Sequence, residues 1–230
     1  MDIHKPKPVH SWREFFGEIA VVSIGIVIAL LGEQVVEWMH WRHEVQVERR
    51  SLLAEAQDVL NVVHARQTEQ GCVDARLNQV HVLIQRHERR QPLKIIAPIG
   101  KHMRDTASLG TWQIALAGQA QAHMDHDERL AFSSAFGAYQ IWNETVVRES
   151  EAWNKLAPLQ EPDLLDDQDW AKLKSAYWDA KQINIGMQSF ATFILKTQNL
   201  GLHPNGAYNA DIPGYVGGNA AMCRPFVDLR

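Results

Sequence analysis

Familiar catalytic signatures are missing from this chain. It contains no His-Glu-x-x-His, no Gly-x-Ser-x-Gly, no Walker loop and no dinucleotide-binding glycine fingerprint. The usual sequence grounds for a zinc protease, a serine hydrolase, a nucleotide hydrolase or a nicotinamide enzyme are therefore gone. Cysteine is scarce, with 2 in 230 residues and no Cys-x-x-Cys pair, which argues against zinc-ribbon and thioredoxin-like chemistry. Excess positive charge is lacking too. The formal net charge is -4, and nucleic-acid binding usually demands a basic patch. Proline is absent between Pro8 and Pro92, so nothing in that stretch is bound to stop a helix. Strand signals are weak throughout.

What is present is a single long apolar run, FFGEIAVVSIGIVIALL, from Phe15 to Leu31. Its uninterrupted part, Ile19 to Gly32, has about 14 residues, a length that suits a buried core helix equally well. The flanks decide between the two. Trp12 precedes the run, and Trp38 and Trp41 follow it. About 26 residues separate Trp12 from Trp38, or roughly 39 Å of helix, close to the thickness of a bilayer with its headgroups. Tryptophans at those two depths form an aromatic belt. The expected transmembrane helix is residues 15–36, which admits Glu18, Glu33 and Gln34. Glu33 and Gln34 sit at one interface; Glu18 lies near the helix N-terminus, where the helix dipole favours a carboxylate. The following segment, LLGEQVVEW, lacks the small-x-small pattern of a cleavage site, so the run reads as an uncleaved anchor.

Orientation is harder to read. Lys5, Lys7 and Arg13 precede the run, while Arg42, Arg49 and Arg50 follow it, so the positive-inside count is a draw. The tail carries its charge without many acids, which favours the N-terminus inside and the bulk of the chain in the periplasm. An oxidising compartment would let Cys72 and Cys223 pair. Such a bond closes a loop of about 150 residues, worth roughly 5 kcal/mol in the chain-entropy model, and staples the C-terminal tail to the first soluble helix.

The anchor also carries a distinct face. At about 100° per residue, Glu18, Gly25, Ala29, Gly32 and Val36 align. Gly25-x-x-x-Ala29 is a small-xxx-small pair that permits close backbone approach between membrane helices. A carboxylate on that line would face a protein partner rather than lipid. The plainer alternative is that small residues are common in membrane helices and Glu18 simply reaches the interface.

Beyond the anchor, residues 37–200 read as a helical bundle, after a basic tail at 1–14 and before a Gly/Pro-rich tail at 201–230. From His43 to about Arg90 the pattern is one long helix or two abutting ones, with Leu52, Leu53, Ala56, Val59, Leu60 and Val63 on one face. The anchor runs into it without a hinge. QPLKIIAPIG then forms a loop. A second helix is expected over Thr106 to His123, and a third starts at Asp125 with Glu128 completing a capping-box pattern. A fourth is capped by Asp166 or Asp167 and runs to Leu200, with Gly201 just past its end. The fold class is all-α: a transmembrane helix, an up-and-down bundle of about four helices, and an irregular tail.

Potential chemistry is sparse. His123-Met-Asp-His126-Asp127-Glu128 is the densest set of ligand-type residues, and two histidines at i, i+3 can bind a divalent metal. At a helix junction the same acids serve as caps, which is the simpler reading. His40 and His43 form a second such pair and read as interfacial polar residues. Trp112, Trp142, Trp153 and Trp178 fall at helical spacing, as core residues do; a pocket around Trp112, Trp142 and Trp178 is the alternative reading. No cofactor is implied.

The block REFFGEIAVVSIGIVIAL, leading through Trp38 into a charged helix, resembles an uncharacterised bacterial family. Its members begin with a basic tail and a Glu-Ile…Ile-Gly-Ile-x-Ile-Ala-Leu membrane segment. The resemblance covers about the first 45 residues and implies a single-pass protein with a helical remainder; it brings no catalytic residues. Together these readings point to a non-catalytic interaction protein of the bacterial inner membrane. Its partners would be the lipid bilayer and a second copy or another membrane protein, and no nucleic acid. A periplasmic ligand-sensing bundle is the alternative, and a metal-dependent enzyme using His123 and His126 stands further back.

Overall fold

The computed structural model describes residues 12–99, 106–205 and 222–229. Residues 1–11 of the expected basic tail, 100–105 of the loop, and 206–221 and 230 of the Gly/Pro-rich tail lie outside the described residues. The chain is all-α: five α-helices, three short 3-10 turns and no strand occur among the described residues. Helix α1 spans Trp12–Thr68, 57 residues without a break, or about 86 Å at the usual rise. One residue later α2 begins, Gln70–Glu88. Glu69 between them keeps near-helical dihedrals (φ -82°, ψ -7°), so the chain carries on rather than turning back. The absence of proline made this continuity legible.

Along α1 the surroundings change. Apolar residues from Phe15 to Val36 are exposed on every side, whereas Leu52, Ala56, Val59, Leu60 and Val63 are fully buried. Helix α4, His126–Asn154, runs alongside in the same direction, with Arg49 meeting Glu128 near its start and Arg66 meeting Glu149 near its end. Helix α5, Asp167–Thr197, returns antiparallel: Trp170 stacks on His87, Asn184 reaches Arg66, and residues just past its end reach Gln57 and Asn61. Asp166 caps α5 in a reciprocal capping box with Asp169. Asp125 caps α4 through the N–H groups of Asp127 and Glu128, while the Glu128 carboxylate pairs with Arg49 instead of closing the box.

Two apolar cores are stacked along this frame. The proximal one, nearer the exposed apolar segment, joins Leu52–Val63 of α1, Phe132–Val146 of α4 and Met187–Ile194 of α5. The distal one joins Val73–Ile84 of α2, Trp153 in the last turn of α4 and Leu156 just beyond it, Trp170–Ala180 of α5, and Met222, Phe226 and Val227 from the C-terminal segment.

The path between α2 and α4 is where the structure departs from the expected helix over Thr106 to His123. Only α3, Gly110–Ala117, and a 3-10 turn, Ala120–His123, are helical. Gly118 is extended (φ -85°, ψ 170°) and ends α3. Upstream, the Asn143 side chain accepts from Ala107 N–H (3.0 Å) and donates to Ala107 C=O (2.8 Å), holding that backbone outside a helix. Helix α5 also ends three residues short of Leu200. Gln198 rather than Gly201 follows its last turn, and Gly201 takes its positive φ (68°) in the segment beyond.

Candidate functional site

Three parts of the molecule carry residues whose positions demand an account. The first is one face of the exposed apolar segment of α1, a helix long and apolar enough to cross a membrane. Glu18, Gly25, Ala29, Gly32 and Val36 are all exposed on α1, and a Cβ built at Gly25 or Gly32 would meet nothing within 4 Å. No other element of the described chain covers this face.

The second is a clasp on α2. Cys72, Arg76 and Gln79 fall on one face at i, i+4, i+7, and all three hold the C-terminal segment. Cys72 and Cys223 stand at disulfide distance, with Cα atoms 4.6 Å apart. Arg76 donates to the carbonyls of Met222 (3.0 Å) and Arg224 (2.7 Å), and its guanidinium lies 4.8 Å from the centre of the Phe226 ring. Burial lowers the Arg76 pKa from its ordinary value. Gln79 Oε1 accepts from the N–H groups of Phe226 (2.7 Å) and Val227 (3.2 Å). On its other edge the segment bonds to the strap from Leu93 to Ile99, through Ile96 N–H to Phe226 C=O and Asp228 N–H to Lys94 C=O. Each backbone group named here has a partner, as buried backbone requires.

The third is a polar layer between the two cores, at the junction of α1 and α2. Arg66 and Glu149 form a bidentate pair whose shortest contact is 2.6 Å, with side chains 7% and 0% exposed. Arg66 also donates to Asn184 (2.8 Å) and Gln70 (3.1 Å). Asn184 and Gln70 in turn donate to Asp74, at 2.7 and 2.9 Å. A buried ion pair is tolerated only when its remaining hydrogen-bonding capacity is met, and here four helices contribute to meeting it. It is an alignment layer, fixing how α1, α2, α4 and α5 meet.

The residues singled out for chemistry are occupied in other ways. His123 stacks on Trp41 at 4.1 Å with an 11° interplanar angle, and His126 Nδ1 faces Arg129 at 3.3 Å. Among the described residues no group of three or more His, Cys, Asp or Glu is arranged to hold a metal ion. The tryptophans are dispersed. Trp112 stacks on Phe136 (4.9 Å), Trp142 is fully buried near Phe190 (6.4 Å), and Trp178 is 46% exposed beside Tyr177. Trp153 lies in the distal core. Burial pushes the Tyr139 pKa up to about 12.

The polar layer and most of the clasp match no recognisable motif in the sequence. A signal was available: Arg66, Glu149, Asn184 and Arg76 each occupy a helical position that the apolar stripe would otherwise fill. A polar residue in line with a core face is the pattern to look for. Comparisons with protein-family models, with curated proteins and with solved structures return no match to this chain.

Proposed function

We propose that this protein is a single-pass anchored interaction subunit of the bacterial cell envelope, without catalytic activity of its own. The observation that carries the reading is α1 itself. One continuous helix holds a wholly exposed apolar segment at one end and supplies a main wall of the proximal core at the other. A helix long and apolar enough to cross a membrane, with none of that apolar window buried in its own chain, is what an anchor requires. With no break in α1, the apolar segment and the wall of the proximal core belong to one helix. The resemblance of the first 45 residues to a single-pass family belongs to the same reading.

The outward orientation is part of the proposal, supported by the Cys72–Cys223 proximity, because disulfides persist in oxidising compartments. The partner surface is the Glu18, Gly25, Ala29, Gly32 face, engaging a second copy or another membrane helix. Native-detergent mass measurement of the full chain, with site-specific crosslinking at Gly25 and Gly32, tests this. Association that Gly25→Leu abolishes is the expected result; a strictly monomeric protein with no crosslinked partner sinks it. Thiol labelling in intact and permeabilised cells tests the orientation. Free thiols reachable only after permeabilisation would reverse it.

A further inference from the structure

We infer that the groove where α1 leaves the membrane binds the headgroup of a phospholipid carrying both a phosphate and a primary ammonium. The inference rests on the anchor reading above and adds a ligand site to it. The groove has a volume of about 610 Å³, and Glu37, Trp38, Trp41, Arg42, Gln46 and His123 are among the residues lining it. It begins at the end of the apolar segment. Glu37 is one residue past Val36, and Arg42 six, or about 9 Å along the axis. The headgroup layer on each side of a bilayer is about 5 to 8 Å deep, and the Arg42 side chain can reach back into it.

The walls are assembled from two elements. On α1, the Arg42 guanidinium lies 5.2 Å from the centre of the Trp38 ring, and Trp41 Nε1 donates to Glu37 Oε1 at 3.3 Å. From the 3-10 turn before α4, His123 stacks flat on Trp41 and closes the upper side. The groove therefore presents one cation and one anion, neither with an ion-pair partner among the described residues, between aromatic faces. Guanidinium N–H groups suit a phosphate diester, and the free Glu37 Oε2 suits an ammonium. That arrangement complements a zwitterion better than a net anion. The amphipathic tryptophans beside it suit the glycerol and methylene portions.

The test is native mass spectrometry of the full chain from micelles doped with either phosphatidylethanolamine or phosphatidylglycerol. Wild type is expected to retain one phosphatidylethanolamine in preference to phosphatidylglycerol. Arg42→Gln should weaken retention of both lipids about tenfold, the loss of one charged hydrogen-bonding group. Glu37→Gln should abolish the preference while sparing phosphatidylglycerol. Inorganic phosphate at millimolar concentration should displace neither. Equal retention of the two lipids by wild type, unchanged retention by Arg42→Gln, or displacement by inorganic phosphate would each overturn the site. Both substitutions are at the surface, and unchanged circular dichroism verifies their folds. Carbonate extraction separates the two levels. A chain released from membranes loses the anchor and the site together, whereas an integral chain without lipid preference loses the site alone.

Discussion

The two cores of the bundle are covered in opposite ways. The proximal core is closed by α3 and the 3-10 turn, helical pieces that pair part of their own backbone internally. What they lack, α1 supplies: the Glu55 carboxylate accepts from the N–H groups of Thr111 and Trp112 (both 2.9 Å) at the first turn of α3. The distal core is closed by two mostly irregular segments, the strap and the C-terminal piece, joined by one isolated bridge between Ile95 and Val227. An irregular cover cannot satisfy its own backbone. It therefore draws on Arg76 and Gln79, and on the Cys72–Cys223 link, for what a helical cover provides internally. Helical covers need caps, and irregular covers need clasps.

That contrast can be broken at the shared layer first. Glu149→Ala strands the Arg66 guanidinium between the cores and should cost about 3 to 5 kcal/mol, the usual penalty for breaking a buried pair. Denaturant unfolding of the full chain in detergent measures it. Replacing both partners by apolar residues should cost far less, and an equal loss would mean the charge was not the issue.

Next in size is the Cys72→Ser, Cys223→Ser double variant, expected to lose roughly 2 to 5 kcal/mol relative to the oxidised protein. Hydrogen exchange should rise over 93–97 and 222–229 well before it rises over 132–146. Uniform acceleration would mean the two covers are not independent.

Smaller again is Arg76→Leu, at about 1 to 3 kcal/mol for the carbonyls it leaves without their donor, again confined to the distal end by the same exchange measurement. Glu55→Ala removes the cap on α3 and should cost about 1 kcal/mol. Its signature is faster exchange at Thr111 and Trp112, with the clasp unaffected.

The smallest effect concerns pH. Burial, followed by repulsion from Glu44, raises the Glu48 carboxyl above its ordinary value of 4.5, and Glu48 Oε1 has no hydrogen-bond partner under the cover formed by α3 and its turn. A raised folded-state pKa favours the protonated form in the native state. The associated stability is present below the ordinary value and is lost as pH rises through the folded one. Glu48→Gln should flatten that dependence and raise stability slightly at neutral pH. A steeper pH profile in the variant would reverse the assignment.

The periodic features were readable without coordinates. An apolar run flanked by tryptophans, a proline-free stretch of more than 80 residues and a cap at Asp166 or Asp167 depend on neighbours a few positions apart, and each has its counterpart in α1, α2 or α5. Residues 106–109 fit a helix by local pattern yet are not helical, because their conformation depends on Asn143, 36 residues away from Ala107. Arg90 offers a similar lesson. It takes the positive φ (54°) of a helix-ending turn where glycine is usual, with Gln91 N–H bonding back to Arg86 C=O. A local reading has no reason to place a turn residue of that kind at an arginine.

By itself, then, the sequence determined the helical class, the unbroken passage from the apolar segment into the bundle, and the caps of α4 and α5, because helix periodicity and capping act within a few residues. Only the tertiary structure decided that Arg66, Glu149 and Asn184 form one buried layer. It likewise decided that α3 is short and that α2 clasps the end of the chain. These outcomes depend on groups from distant segments meeting where water is excluded, and there a polar atom must find a partner or pay the cost of burial.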